Sequence, residues 1–364
     1  MEIDKIQLFE VHLLYLALVS FILCMALIVL ARTVPRLRGR AGDATAVQAM
    51  HVGLTPRVGG VAIFGALAFS LFFAPEALVR QYAEFIIATA MIFVIGLRED
   101  LGFHVSPRIR LLAVVIASLI VIALIGDWLR SIGWPFADQL LSYWFIGIPF
   151  TLLITAGVSN GFNLIDGVNG LAAVTAIGGA ISIALIAQQA NYVPTVVLSM
   201  MLAAVVVGFL VLNYPFGWIF LGDAGAYTIG FVLSWLGIAT LLNAPAVSPW
   251  AILLTMFWPL ADTLLAMYRR NRSNRGAMLP DRLHMHQLIM RGIEIRILGR
   301  NRRHLSNPLT TAALTPFVLA PPIAGTLLWD HNLAAFCVVI MFLGLFFGFY
   351  TFAVGAIRKN RKRP

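Results

Sequence analysis

The sequence predicts an all-α fold, a polytopic membrane bundle of about eleven transmembrane helices read as a single domain over residues 1–364. Three observations predict it. The chain is 60% hydrophobic and only 12% charged, its mean hydropathy is +0.89, and apolar stretches follow one another almost end to end between short polar connections. Crossing a hydrocarbon core takes roughly 20 apolar residues per helix. With no water to bond the backbone there, helices are the plausible spans for a chain of this pattern.

In order, the spans fall near residues 11–31, 58–74, 83–97, 110–126, 143–158, 171–188, 193–211, 226–242, 249–268, 309–328 and 332–356. Charge gives their direction. Of the 26 Lys and Arg, 23 fall on one side when the loops alternate, and only Lys5, Arg80 and Arg130 fall on the other. The positive-inside rule then places the N-terminus in the periplasm and the C-terminus in the cytoplasm, as an odd number of spans requires. Glu2, Asp4 and Glu10 precede the first span and Arg32, Arg36, Arg38 and Arg40 follow it. That is the reverse of a secretory signal peptide, so the first helix is expected to stay attached.

Cys24 and Cys337 both sit in apolar spans and are expected to pack as small hydrophobes. The net charge of +10 is juxtamembrane, as in Arg269-Arg270-Asn271-Arg272 and the 358–363 run, which suits topology and contact with anionic lipids. No nucleic-acid-binding module accompanies it. The longest loop, 269–308, should carry an amphipathic surface helix over Met285 to Leu298.

With topology set by charge alone, the unusual polar residues converge on one face. Glu99 and Asp100 end span three, Asn160 to Asn169 follow span five, Asn213 to Asp223 follow span seven, and Asp281 to Gln287 follow span nine. The segment from Asn160 to Gly170 packs Asn160, Asn163, Asp166 and Asn169 among glycines. Glycine permits close ligand approach, and the amide and carboxylate oxygens suit a hard cation. Asp223 lies between Gly222 and Gly225 at the start of span eight, where it serves as helix cap, ligand or both. Glu99 and Asp100, with Arg108 and Arg110 following, offer metal support or a general base.

Arg282, His284 and His286 suit phosphate oxygens, and a zinc site would lack a third ligand. Asp262, inside span nine, needs a partner. Arg269 and Arg270 lie on roughly its helical face, leaving a structural ion pair and a functional role equally open.

This constellation resembles the polyprenyl-phosphate N-acetylhexosamine-1-phosphate transferases, over about residues 50–290. The pieces are Thr55-Pro56-Arg57-Val58-Gly59-Gly60, Gly96-Leu97-Arg98-Glu99-Asp100, the 160–170 segment, Asn213 with Phe220-Leu221-Gly222-Asp223, and Pro280 through His286. The resemblance implies Mg²⁺, with Mn²⁺ as an alternative, on Asp223 and Asn163. It further implies uracil stacking on Phe220, a uridine pocket completed by Gly167 and Asn169, and nucleotide support from Asn213. Arg282, His284 and His286 would contact the diphosphate, Asp100 with Glu99 would orient or deprotonate the lipid phosphate, and Arg57 and Asp166 belong to the same expected site.

Glu99 stands where the family has Asp, and Gln287 where it often has a third His. The implied substrates are a UDP-N-acetylhexosamine, GlcNAc favoured over GalNAc or MurNAc-pentapeptide, and undecaprenyl phosphate. The implied setting is the bacterial inner membrane with the site on its cytoplasmic face, membrane lipids as further partners, no nucleic acid, and a homodimer as one assembly open to it. Direct attack and an aspartyl-phosphate route both fit these residues. A secondary transporter is the rival class. Its sites lie near the bilayer midplane, whereas these acids cluster at one edge.

Overall fold

The computed structural model describes residues 2–38, 55–74, 76–272, 284–299 and 302–361, and within these every extended element is helical. The long helices are α1 (Glu2–Leu30), α3 (Val79–Asp100), α4 (Pro107–Ile125), α6 (Trp144–Ile165), α7 (Leu171–Gln189), α8 (Val193–Asn213), α9 (Gly222–Asn243), α13 (Arg303–Leu327) and α14 (Asn332–Arg361). Shorter pieces lie between them: α2 (Gly59–Phe69), α5 (Pro135–Leu141), α10 (Pro249–Thr255), α11 (Phe257–Arg272) and α12 (Met285–Ile293).

Among the described residues nine helices are long and apolar enough to cross a membrane, or ten if α10 and α11 form one span. Two expected spans differ from this picture. The second is a short apolar helical stretch, Gly59–Phe73, and the ninth is broken, its halves bent by 83°. Pro259, in the first turn of α11, has no N–H to offer the carbonyl of Thr255, so the helical ladder cannot run through this point.

Helix α9 is the axis of the bundle. Every residue from Gly222 to Ile238 is buried, and α9 packs against α2, α3, α6, α7 and α8. A helix that is apolar all round belongs in the middle of a bundle. The outer helices carry their apolar side chains outward, as Leu14, Leu18 and Ile22 do on α1 and Ile340, Leu345 and Phe352 on α14. Cys24 is buried as expected. Cys337, however, sits on the exposed face of α14, where lipid tails accept a small apolar group as readily as protein does.

The bundle brings together one end of each central helix. The C-terminal ends of α3, α6 and α8 and the N-terminal ends of α4 and α9 carry the polar residues singled out above. The opposite end is tied by Asn332, whose amide accepts from Ser248 Oγ at 2.9 Å and donates to the Gly133 carbonyl at 2.7 Å. Asn332→Leu, which breaks both bonds, should lower the thermal unfolding midpoint in detergent by about 2–4 °C without changing the polar end. An unchanged midpoint would show that this tie is dispensable.

Candidate active site

The site is built on the first turn of α9. A helix leaves its first amides without intrahelical partners, and at a buried terminus they must be satisfied. The carboxylate of Asp100, at the end of α3, accepts from Asp223 N at 2.8 Å and Ala224 N at 2.9 Å. Asp166, just beyond α6, accepts from the Gly222 amide. Gly222 has φ +74°, and a Cβ there would fall 2.2 Å from the Arg57 carbonyl and 2.6 Å from Asp100 Oδ2. Only glycine fits this corner.

The segment around Arg57 is held against the same turn by backbone bonds. Phe220 N donates to Pro56 O at 2.8 Å, while Gly59 N and Gly60 N donate to Phe220 O and Leu221 O, each at 2.9 Å. Phe220 is half-buried at this junction. Asp223 itself points among Asn163, whose Nδ2 donates to Oδ1 at 3.0 Å, Arg57 at 3.7 Å and Arg110, which pairs with Oδ2. Sequence reading noted Arg110 only as a nearby cation. The signal available was its place as the first residue of the expected span 110–126, which carries no other charge.

Glu99 accepts from Val105 N at 2.6 Å, which fixes the α3–α4 turn. Asn213 has both amide atoms engaged, accepting from Gly170 N at 2.6 Å and donating to Ile219 O at 2.8 Å. It braces the two loops that flank α9. Asn169 is similarly built in, its Nδ2 donating to Pro215 O at 2.9 Å. Arg282 lies outside the described residues.

The histidines arrive from the other side. His284 precedes α12, and its Nδ1 lies 2.7 Å from Asp262 Oδ2, while Met285 N donates to Asp262 Oδ1 at 3.3 Å. The partner of Asp262 is therefore a histidine and a backbone amide rather than Arg269, which lies over the Tyr350 ring. Helix-face reasoning missed this because His284 comes from a distant segment folded back onto α11. His284 and His286 are nearly parallel, 5.9 Å between ring centroids.

Gly167 makes room for His286, since a Cβ there would lie 2.2 Å from Nε2. Met285, His286, Gln287, Leu288 and Met290 are buried, so α12 is not the surface helix its amphipathic pattern suggested. It packs against α13 and α14, with its polar start turned to the site.

Magnesium at phosphate sites uses one or two protein carboxylates and fills the rest of its shell from substrate oxygens and water. Among the described residues no three His, Cys, Asp or Glu side chains are grouped to hold a metal ion. Asp223, with Asp166 on the adjoining Gly222 amide, provides carboxylates of the number such a site uses, while Asn163 turns its Nδ2 to Asp223 Oδ1.

Two titrations are displaced. Burial pushes the Asp166 carboxyl up to about 6, against the opposing pull of Arg57 and the Gly222 amide. Burial also holds the His286 imidazole down to about 4, with Asp262 opposing and His284 assisting. His286 is therefore neutral near pH 7 and presents one donor and one acceptor.

These geometries accompany a match over residues 82–241 to the model of glycosyl transferase family 4. The chain is also similar to proteins named as polyprenyl-phosphate N-acetylglucosamine phosphotransferases. Over 279 residues the chain is 28% identical to the undecaprenyl-phosphate alpha-N-acetylglucosaminyl 1-phosphate transferase of Yersinia pestis, covering 74% of this chain and 75% of that one. It is 28% identical over 281 residues to a probable undecaprenyl-phosphate N-acetylglucosaminyl 1-phosphate transferase of Bacillus subtilis, covering 75% and 76%. The decaprenyl-phosphate N-acetylglucosaminephosphotransferase of Mycobacterium tuberculosis is 29% identical over 277 residues, 66% of this chain and 67% of its own.

The two displaced groups act oppositely on stability. Asp166 keeps its proton in the folded chain up to about pH 6, above the usual carboxylate value, so its contribution falls as pH rises from about 4 to 6. His286 resists protonation down to about 4, so its contribution rises from about pH 4 to the usual imidazole value near 6.5. Asp166→Asn removes the first term only. Its unfolding midpoint should climb with pH across that window more steeply than the parent's, and parallel curves would show that Asp166 titrates normally.

Proposed function

We propose that the chain transfers GlcNAc-1-phosphate from UDP-GlcNAc to undecaprenyl phosphate, releasing UMP and starting a lipid-linked envelope glycan. The work is done at the cytoplasmic face of the bacterial inner membrane. The observation that carries this reading is the convergence at one end of the bundle of Asp223, Asp166, Arg57, Arg110, His284 and the neutral His286. The relatives named above act on such a lipid and such a sugar. The excess of Lys and Arg on that side supports its cytoplasmic placement.

In the reaction an oxygen of the lipid phosphate attacks the β-phosphorus of the donor. A new P–O bond forms, the bond from the β-phosphorus to the bridging oxygen breaks, and UMP leaves with that oxygen. The obstacle is charge, because both reactants are anions, and positioned cations and hydrogen-bond donors are the remedy. Arg57 and Arg110, now balanced by Asp223, sit where phosphate oxygens can share them. Asp262 fixes the tautomer and direction of His284, leaving Nε2 for the diphosphate, and His286 adds a neutral contact.

Asp100 holds the α9 terminus with both oxygens, which positions Asp223. Asp166, which accepts from the Gly222 amide, holds the same terminus from the side of Gly167 and His286. Mg²⁺, held by Asp223 and Asn163 when bound, would neutralise charge on the diphosphate and the leaving group. The amphipathic lipid reaches this edge from the bilayer, and the nucleotide sugar from water.

Purified protein given UDP-GlcNAc, undecaprenyl phosphate and Mg²⁺ should release UMP, and chelation should stop it. Release with UDP-GalNAc or UDP-MurNAc-pentapeptide instead would reassign the sugar, and vesicle uptake of a solute without UMP release would favour a transporter. Asp223→Ala should abolish release while the variant elutes as a folded protein. Full activity there would sink the assignment. For Asp262→Asn, which removes the charge facing His284, kcat should fall about 10²-fold, and a change in the lipid KM alone would place His284 elsewhere.

A further inference from the structure

The loop that follows α6 carries Asp166 and Gly167, yet it is fixed from a helix about 140 residues away. Asn307 Oδ1 accepts from the backbone amide of Asn169 at 2.8 Å. Thr311 Oγ1 donates to the Asn169 carbonyl at 2.6 Å. Both side chains are buried, at 2% and 1% exposure. They stand one turn apart on α13, and so on one face of it.

The peptide following Asn169 is gripped from the other side by Asn213, which accepts from Gly170 N, and the Asn169 side chain is tied to Pro215 O. Gly170 has φ +81° and begins α7 without a side-chain cap. The segment is thus outside any helical ladder, and its conformation depends on these side chains.

An amide or hydroxyl left unpaired in an apolar bundle is destabilising, and helix packing alone would be served by Ala or Leu. Neighbouring polar groups of α13 behave differently. Thr310 bonds back to Ser306 O at 2.7 Å and Thr315 to Thr311 O at 2.8 Å, which any threonine in a helix can do. Asn307 and Thr311 reach across to the backbone N–H and C=O of one residue, Asn169, three residues after Asp166 and two after Gly167.

Those two residues set the distance between the α9 terminus and His286: Asp166 bonds the Gly222 amide, and Gly167 faces His286 Nε2. α13 also lies beyond residues 82–241, the span of the family match. We propose that Asn307 and Thr311 are positioning residues for the nucleotide-sugar side of the site, acting through the Asp166–Gly170 loop. This rests on the transfer reaction proposed above.

The test compares Thr311→Val, which keeps shape but loses the hydroxyl, Thr311→Ser, which restores it, and Asn307→Ala, all as full-length protein in detergent. Thr311→Val should raise the KM for UDP-GlcNAc about tenfold and weaken UDP binding by calorimetry about as much. The KM for undecaprenyl phosphate should stay within twofold, roughly the scatter of such measurements. Thr311→Ser should recover most of the loss, and Asn307→Ala should follow Thr311→Val.

If Asn307→Ala fails to fold, the valine and serine pair still decides. Unchanged donor KM and UDP affinity in folded Thr311→Val, beside a fully active parent, would overturn the positioning role alone. So would equal losses toward both substrates. A parent that neither releases UMP nor binds UDP would overturn the transfer reading, and the positioning role with it.

Discussion

The site depends on how the buried start of α9 is satisfied. Three successive amides, those of Gly222, Asp223 and Ala224, point at carboxylates supplied by other helices, Asp166 after α6 and Asp100 ending α3. The partial positive charge of a helix N-terminus favours anions there, and burial removes water as an alternative partner. These bonds join α3, α6 and α9 at one point. The same helix that fills the centre of the bundle therefore presents Asp223 at its edge, with its backbone already fixed.

Charge balance follows from that arrangement. Three aspartates in so small a space would repel one another, and Arg57 and Arg110 offset this by pairing with Asp223. Asp262 plays the same part for His284. Asp223 and His284 are thus each backed by neighbours that set their direction, which is what electrostatic preorganisation requires.

The sequence made much of this legible. Helical class, the approximate places of the apolar segments and the gathering of polar motifs on one face came from hydropathy and charge, which act residue by residue. The roles within the cluster were less legible. Asp100 and Glu99 read as metal support or a general base; the structure shows Asp100 accepting from the α9 terminus and Glu99 from Val105 N. Asn213 looked like a nucleotide contact but braces two loops. An acid or amide at a helix end has the same sequence signature whether it meets a ligand or a backbone.

What the sequence by itself determined is the solvent for each segment: twenty-odd apolar residues must leave water, and their backbone must then be helical. It also set which end of each helix carries polar atoms. Only the tertiary structure decided which polar atoms meet: Arg110 with Asp223, Asp262 with His284, Asn307 and Thr311 with Asn169. The physical reason is that hydrogen bonds are short and directional. Partners separated by 22 to 142 residues are chosen by helix packing, which no local pattern records.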